Sequence, residues 1–473
     1  MNRSIFCTAA SLLLASAAAA QTPAATGIWQ GGIQVTPTTE LIAYFDLQGT
    51  TPALTGTISV PQQSTKSFAL NRVVVRHDSL LLAADVLRAR FAGRFSADGQ
   101  QVAGTWVQNG TTFPVTLRRS SAKAKAATAP RRPQTPQAPF PYRSQDLTFP
   151  NKKAGFDLAG TLTLPAGKGP FPAVVLVTGS GAQNRDEALL GHQPFLVLAD
   201  YLTRRGFAVL RYDDRGVGQS KGVFKDALTT DFTTDAQAAM AYLRTRPDIR
   251  AHQVALLGHS EGGLIVWQAA AQPGGPDLAV SLAGPGVPGD AILLRQQKDM
   301  ARAAGADSAA IRANYHLHHA LFAELHRVPA ALTTEELVAR LTPIVQQQMP
   351  GLNAEQARPA VAQLASPWMR AFLLTDPAPY LAKVKCPVLA INGTHDLQVA
   401  ADENLPAIAA GLHAAHNRDV TTRAMPQLNH LFQSDPAAKA DYASIEETIN
   451  PAALQAIGDW LSAHTGTKGV AGR

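Results

Sequence analysis

A serine between two glycines, a later aspartate and a still later histidine supply the residue types of a nucleophilic relay. The run Gly258-His259-Ser260-Glu261-Gly262 follows the apolar stretch Val254-Ala255-Leu256-Leu257 and precedes Gly263-Leu264-Ile265-Val266. That order reads as a strand, a sharp turn and a helix, with the serine lifted above the end of a sheet. A serine hydroxyl is a weak nucleophile at neutral pH. It needs an imidazole to take its proton, and a carboxylate to fix the imidazole's tautomer. Pro387–Gly393 reads as another buried strand, followed by Thr394-His395-Asp396. Asp396 then falls on the same rim as Ser260. His430 lies in a late loop, Met425–Phe432, so the order along the chain is Ser, Asp, His. Asp402 and Glu403 are the substitute acids if Asp396 only caps a helix.

The reaction also needs donors for a developing oxyanion. Ala173–Val177 reads as an early buried strand leading into Thr178-Gly179-Ser180-Gly181. The backbone N–H of Glu261, next to the nucleophile, and that of Ser180 are the expected pair, because backbone donors are fixed before reaction begins. The side chains of His259 and Glu261 are expected to face away from the nucleophile as packing and polar contacts. Arg185, Asp186 and Glu187 read as bracing ion pairs in preference to substrate ligands, and Asp213, Asp214 and Arg215 as ties for a strand-end loop. Tyr315–His319 spaces His316 and His319 on one helix face, but without the carboxylates or cysteines of a metal site.

These motifs give the chain a family likeness. From about residue 143 to 473 it resembles the α/β-hydrolase superfamily, and within it the secreted bacterial esterases similar to EstD, with serine aminopeptidase-like and dienelactone-hydrolase-like relatives. Thr178–Glu187 is similar to that group's oxyanion loop, and Arg211–Ser220 to the segment after its next strand. Gly393–Val399 and Asn429-His430 match the acid and base positions. Many relatives carry His-Gly where this chain has Thr178-Gly179, a change that leaves the backbone role intact. The resemblance implies a carboxylic ester hydrolase acting on a small ester without metal or organic cofactor. A serine peptidase of the same fold, and a ligand-binding protein with an inert hydrolase domain, are the rival readings.

The surrounding chain must position these groups. An α/β architecture follows from strands at 173–177, 207–211, 254–258, 278–283, 387–392 and 420–425 alternating with helical patterns, which implies a mostly parallel sheet covered on both faces. Between about 285 and 385 the alternation gives way to helical spacing, read as a cap over the catalytic rim, with Trp368, Met369 and Phe372–Leu374 on its candidate inner face. Residues 21–118 read as all-β, with about eight short strands in a meander or small barrel. Residues 119–142, rich in Ala, Pro, Lys and Arg, read as a partly extended linker. Residues 1–20, with Arg3 and an apolar stretch ending in Ala18-Ala19-Ala20, read as a signal peptide, so a secreted or periplasmic location is expected. Cys7 would leave with it, and Cys386 alone could form no internal disulfide. The net charge of +7 is matched by Arg3 and seven basic residues between 118 and 143, so it points to a solvated linker and not to nucleic acid. No integral membrane segment is expected in the mature chain.

Overall fold

The computed structural model describes residues 24–36, 39–61, 67–108, 111–128, 131–329 and 331–467, in two compact units, 1–129 and 130–473. The expected signal peptide lies outside the described residues. The first unit is a nine-stranded antiparallel sheet: β1 Gly27–Thr36, β2 Thr39–Thr50, β3 Ala53–Ser59, β4 Ser67–Ala69, β5 Arg72–Arg76, β6 Ser79–Ala84, β7 Ala89–Phe95, β8 Gln101–Gln108 and β9 Thr111–Arg119. Except for β4 and β5, strands consecutive in sequence pair in space, and β1 pairs with β9 as well as with β2. The ring is therefore open only between β4 and β5. Strict alternation drives the curl. In β7 the residues Ala89, Phe91 and Phe95 are buried while Arg90, Ala92 and Arg94 face out. Trp29, Phe45, Phe91 and Trp106 fill the interior, with Trp106 edge-on to Phe45 at 5.7 Å. Phe68–Arg76, one largely apolar run in the sequence, is divided between β4 and β5, because the N–H groups of Leu70 and Asn71 turn to the carbonyls of Gly56 and Ala83.

The second unit contains an eight-stranded sheet: β10 Arg143–Asn151, β11 Phe156–Leu164, β12 Phe171–Val177, β13 Ala208–Tyr212, β14 Ile249–His259, β15 Leu278–Leu282, β16 Val388–Gly393 and β17 Val420–Met425. Its spatial order is β10-β11-β13-β12-β14-β15-β16-β17. β10 and β11 are antiparallel, β11 meets β13 antiparallel, and every later pair is parallel. This is the α/β-hydrolase architecture. Strands β13, β15 and β16 are buried along their whole length, as a parallel sheet covered on both faces requires. One apolar layer forms under α3 (Thr229–Arg244) and α4 (Glu261–Ala270), the other under α2 (Pro194–Arg204) and α12 (Pro451–Thr465).

Between β15 and β16 stand α5 Gly289–Ala303, α6 Ser308–Arg327, α7 Thr334–Gln348, α8 Ala354–Leu364, α9 Pro367–Leu373 and α10 Ala378–Leu381. These form the cap, with an apolar core of their own around Phe322, Leu325, Leu337, Leu341 and Val361. Their starts are written locally. Asp307 accepts the N–H groups of Ala309 and Ala310, and Thr333 and Glu336 close a reciprocal capping box. α11 (Ala401–Ala414) follows β16. Among the described residues no helix is long and apolar enough to cross a membrane.

The stretch expected to be a solvated linker differs from that reading. A helix, α1, spans Ala122–Thr128, and residues from 131 onward are tied into the second unit. Arg132 donates to the carbonyls of Leu190 (2.9 Å), Ala443 (2.8 Å) and Ile445 (3.0 Å). Gln134 accepts the N–H of Ile449 and donates to its carbonyl at 2.7 Å. A guanidinium presents several donors in a fixed fork, so it collects stray loop carbonyls that composition cannot foretell. Residues 440–450, just beyond the loop that carries His430, contain no helix or strand and rely on this clasp. Arg132→Ala is therefore expected to loosen them by about 2 kcal/mol, the scale of charge-assisted hydrogen bonds. Hydrogen exchange would report it as faster exchange at 443–449 with the N-terminal sheet unaffected; equal exchange in both proteins would show that the clasp is not holding the loop.

Candidate active site

Ser260 stands where β14 ends and α4 begins, with φ 55° and ψ −121°. A residue other than glycine in that region is strained by about 1–3 kcal/mol and persists only where its surroundings hold it. Here they do. Its N–H donates to Leu282 and its carbonyl accepts from Gly263, at 2.9 and 2.8 Å. The flanking glycines answer to contact, not to freedom. A Cβ on Gly258 would lie 2.0 Å from the Gly262 oxygen, and one on Gly262 would lie 2.3 Å from the Val177 oxygen.

His430 reaches this serine from the loop after β17, with Nε2 3.0 Å from Ser260 Oγ. Its Nδ1 is 2.8 Å from Asp396 Oδ2. The other oxygen of Asp396 accepts the N–H groups of Gln398 and Val399 at 2.8 and 2.9 Å, so the carboxylate is fixed on both sides. That arrangement puts the imidazole proton on Nδ1 and leaves Nε2 free to accept from the serine hydroxyl. The loop is brought in by Gly393, where a Cβ would meet the Leu428 oxygen at 2.1 Å. The substitute acids are engaged elsewhere, with Asp402 and Glu403 both on Arg295. His395 donates from Nδ1 to the carbonyl of Asp435 at 2.7 Å and is turned away from the relay. His316 and His319 lie exposed on α6, and no group of three metal-ligating side chains occurs among the described residues.

The loop 178–187 passes beside the elbow: a Cβ on Gly179 would sit 3.1 Å from Ser260 Cβ. Among the described residues the N–H groups of Ser180 and Glu261 donate to no protein acceptor. Buried carboxylates hold the loop. Asp214 accepts the Thr178 hydroxyl at 2.8 Å and the Gln183 N–H at 2.9 Å. Burial pushes its carboxyl up to about 7, against those two bonds. Asp213 accepts the Arg185 N–H and the guanidinium of the same residue; burial opposes its charge, but these bonds bring its carboxyl below the usual range. Arg211 pairs with Asp186. Arg185, Asp186, Asp213 and Asp214 are thus all braces, while Arg215 binds Asp235 at 2.8 Å and steadies α3.

Glu261 and His192 form buried contacts with partners distant in sequence. The side chain of Glu261 turns from the serine and accepts from Thr229 Oγ1 at 2.6 Å and from the cap's Trp368 Nε1 at 2.9 Å. Burial raises its carboxyl, and these donors moderate the rise. Trp368 stacks on Phe372 at 5.7 Å, so an aromatic pair of α9 is anchored to the residue after Ser260. Behind His430, His192 bonds Thr448 through Nδ1 and the Tyr442 carbonyl through Nε2. Burial pushes this imidazole down to about 4.

Residues 154–430, more than half of the chain, match the family described as X-Pro dipeptidyl-peptidase (S15 family). The chain belongs to that S15 family. Among relatives of this S15 member, esterase EstD of Thermotoga maritima is 32% identical over 160 residues, covering 34% of this chain and 37% of that protein. The uncharacterised protein YfhR of Escherichia coli K12 is 31% identical over 125 residues, covering 26% and 41%. The chain thus spans well under half the length of these two relatives. Solved structures similar to the S15 chain include the Pyrococcus furiosus esterase Pf2001, at 14% identity and TM-score 0.41 over 68% of this chain and 93% of that one. The α/β hydrolase GrgF of a Penicillium species gives 16% identity and TM-score 0.41 over 68% and 99%.

Two outcomes follow from this geometry. Gly258→Ala forces a Cβ into a carbonyl and should cost about 1–3 kcal/mol or more, whereas Gly351→Ala, with nothing within 4 Å, should be silent; denaturant midpoints compare them. The second concerns acid. His192 is neutral when folded down to about pH 4 but protonates near its ordinary 6.5 when unfolded. The unfolded chain then binds the extra proton, so stability is complete above 6.5 and falls as pH drops toward 4, by at most about 1.4 kcal/mol per unit. His192→Gln should flatten that part of the urea-midpoint against pH curve; an unchanged slope would remove His192 from the account.

Proposed function

We propose that this chain is a serine hydrolase that cleaves carboxylic esters of short to medium acyl chain through an acyl-enzyme. The observation that carries the reading is the unbroken relay from Ser260 Oγ to His430 Nε2 and from His430 Nδ1 to Asp396, at 3.0 and 2.8 Å. Ser260 attacks the ester carbonyl as His430 takes its proton, and Asp396 steadies the imidazolium that results. The N–H groups of Glu261 and Ser180 are assigned to the tetrahedral oxyanion. His430 returns the proton to the departing alcohol, and a water repeats the steps to free the acid. Backbone donors and a buried relay need no further group for this chemistry. Trp368 and Phe372 are assigned to the wall of the acyl pocket, because Trp368 is bonded to the residue beside the nucleophile. Export from the cytoplasm is proposed from the N-terminal residues alone.

Membership of the S15 family favours a second reading, cleavage after an X-Pro dipeptide. Such a peptidase needs a site for a charged peptide terminus. Arg185 and Glu187, the two charged groups of the oxyanion loop suited to that task, are taken by Asp213 and by His259. The ester reading is therefore preferred.

Hydrolysis of p-nitrophenyl esters from two to sixteen acyl carbons, beside X-Pro arylamides, separates the readings. Turnover of the short esters is expected, with a loss of at least about 10³-fold in Ser260→Ala. Arylamide turnover exceeding that of every ester would establish the peptidase, and activity surviving in Ser260→Ala would remove the serine from the mechanism.

A further inference from the structure

His259, the residue before the nucleophile, is fully enclosed, and both of its ring nitrogens are spoken for. Nε2 lies 2.9 Å from the carbonyl oxygen of His430, and Nδ1 lies 3.0 Å from Glu187 Oε1. A carbonyl only accepts, so Nε2 carries a proton. The same Glu187 oxygen accepts the N–H of Gly179 at 2.9 Å, so one oxygen faces both neighbours. Facing it, Nδ1 must also carry a proton, since a lone pair there would meet a negative oxygen. The ring is then an imidazolium. Burial alone would drive a histidine neutral, but the charge and hydrogen bond of Glu187 overcome it and hold the imidazole above its ordinary range.

The surroundings leave the pair little else to interact with. Leu198, Leu282, Leu431, Phe432 and Ile449 pack about it. The other charged groups nearby are Asp396, which favours the cation, and Asp214, beyond Glu187. Both members are at least nine-tenths buried. The contacts join three pieces of the site that are distant in sequence. Glu187 grips the oxyanion loop at Gly179, His259 belongs to the elbow, and His259 Nε2 holds the base loop by the backbone of His430 itself. The rings of His259 and His430 lie 4.9 Å apart at 46°.

We propose that Glu187 and His259 are positioning residues, a buried ion pair that sets the oxyanion loop, Ser260 and His430 in register for catalysis. The inference rests on the serine-hydrolase reading above. It implies that the pair acts on kcat and leaves ground-state binding alone, because both side chains are buried and bond to the backbone of the flanking loops.

The test has two independent arms. In the first, ¹⁵N-correlated NMR of the full chain with labelled histidine reads the ring of His259, assigned by its absence in His259→Gln. Both nitrogens are expected to be protonated at pH 8, and Nδ1 to lose its proton in Glu187→Gln. An unprotonated Nδ1 in the parent protein would overturn the charged pair. In the second, Glu187→Gln, whose uncharged amide can turn either its oxygen to Gly179 or its NH2 to a neutral His259, is compared with Glu187→Ala on p-nitrophenyl acetate. A positioning role predicts that Glu187→Gln folds cooperatively, keeps KM within about threefold and loses about 10–100-fold in kcat. Glu187→Asp, which keeps the charge, should recover part of that loss. An unchanged kcat in Glu187→Gln, or a loss confined to KM, would overturn the proposal. Activity in Ser260→Ala would instead defeat the underlying reading, and the NMR arm would stand regardless.

Discussion

At Gly262 the elbow lies against the carbonyl of Val177 with no room for a methyl group between them. Everything else in the site depends on that approach. It sets the end of β12 beside the end of β14, and so sets the loop 178–187 beside Ser260. Gly258 lets the turn close over itself, and Gly263 lets α4 lean on Gly284 after β15. Gly393 repeats the device for the base loop. Four missing side chains thus allow loops from four parallel strands to converge within hydrogen-bond range. Ser260 shares the strain of positive φ with Glu187, Ala283 and Phe432, and its bonds to Leu282 and Gly263 hold it there.

Around this convergence the chain buries an unusual amount of charge. Asp213, Asp214, Glu187, Glu261 and Arg211 are all at most 6% exposed. Ion pairs at such depth contribute little net stability, since the attraction is largely consumed by desolvation. Their value here is geometric. Each carboxylate accepts from specific N–H or hydroxyl groups of the loop 178–187 or of its neighbours, and so admits one loop conformation. Asp214 makes the compromise visible, because burial carries its carboxyl to about 7 while it serves as an acceptor. A loop without helix or strand cannot satisfy its own backbone groups. Side chains from the adjacent strand end do that for it.

The strands of the second sheet could be read within one to five residues of their bounds, since buried parallel strands are short apolar runs and helices are periodic. The positions of Ser260, Asp396 and His430 were legible for a similar reason: each follows a recognisable strand, and parallel strands deliver their following loops to one rim. What could not be read are contacts with no local pattern. Glu187 and His259 are 72 residues apart, Glu261 and Trp368 are 107 apart, and Arg132 and Ala443 are 311 apart. A basic, proline-rich stretch has the composition of a solvated linker whether or not one of its arginines meets three carbonyls. The break at Leu70-Asn71 was likewise faint, because a lone asparagine within a largely apolar run is a weak turn signal beside a glycine or proline.

The N-terminal sheet has a consequence that concerns descent and not chemistry. Trp29 pairs with Arg119, so the first and last strands of the module lie side by side, and the chain enters and leaves it at one place. A unit whose two ends meet is a cassette: recombination can add it ahead of a gene, or remove it, without asking any downstream strand to change its neighbours.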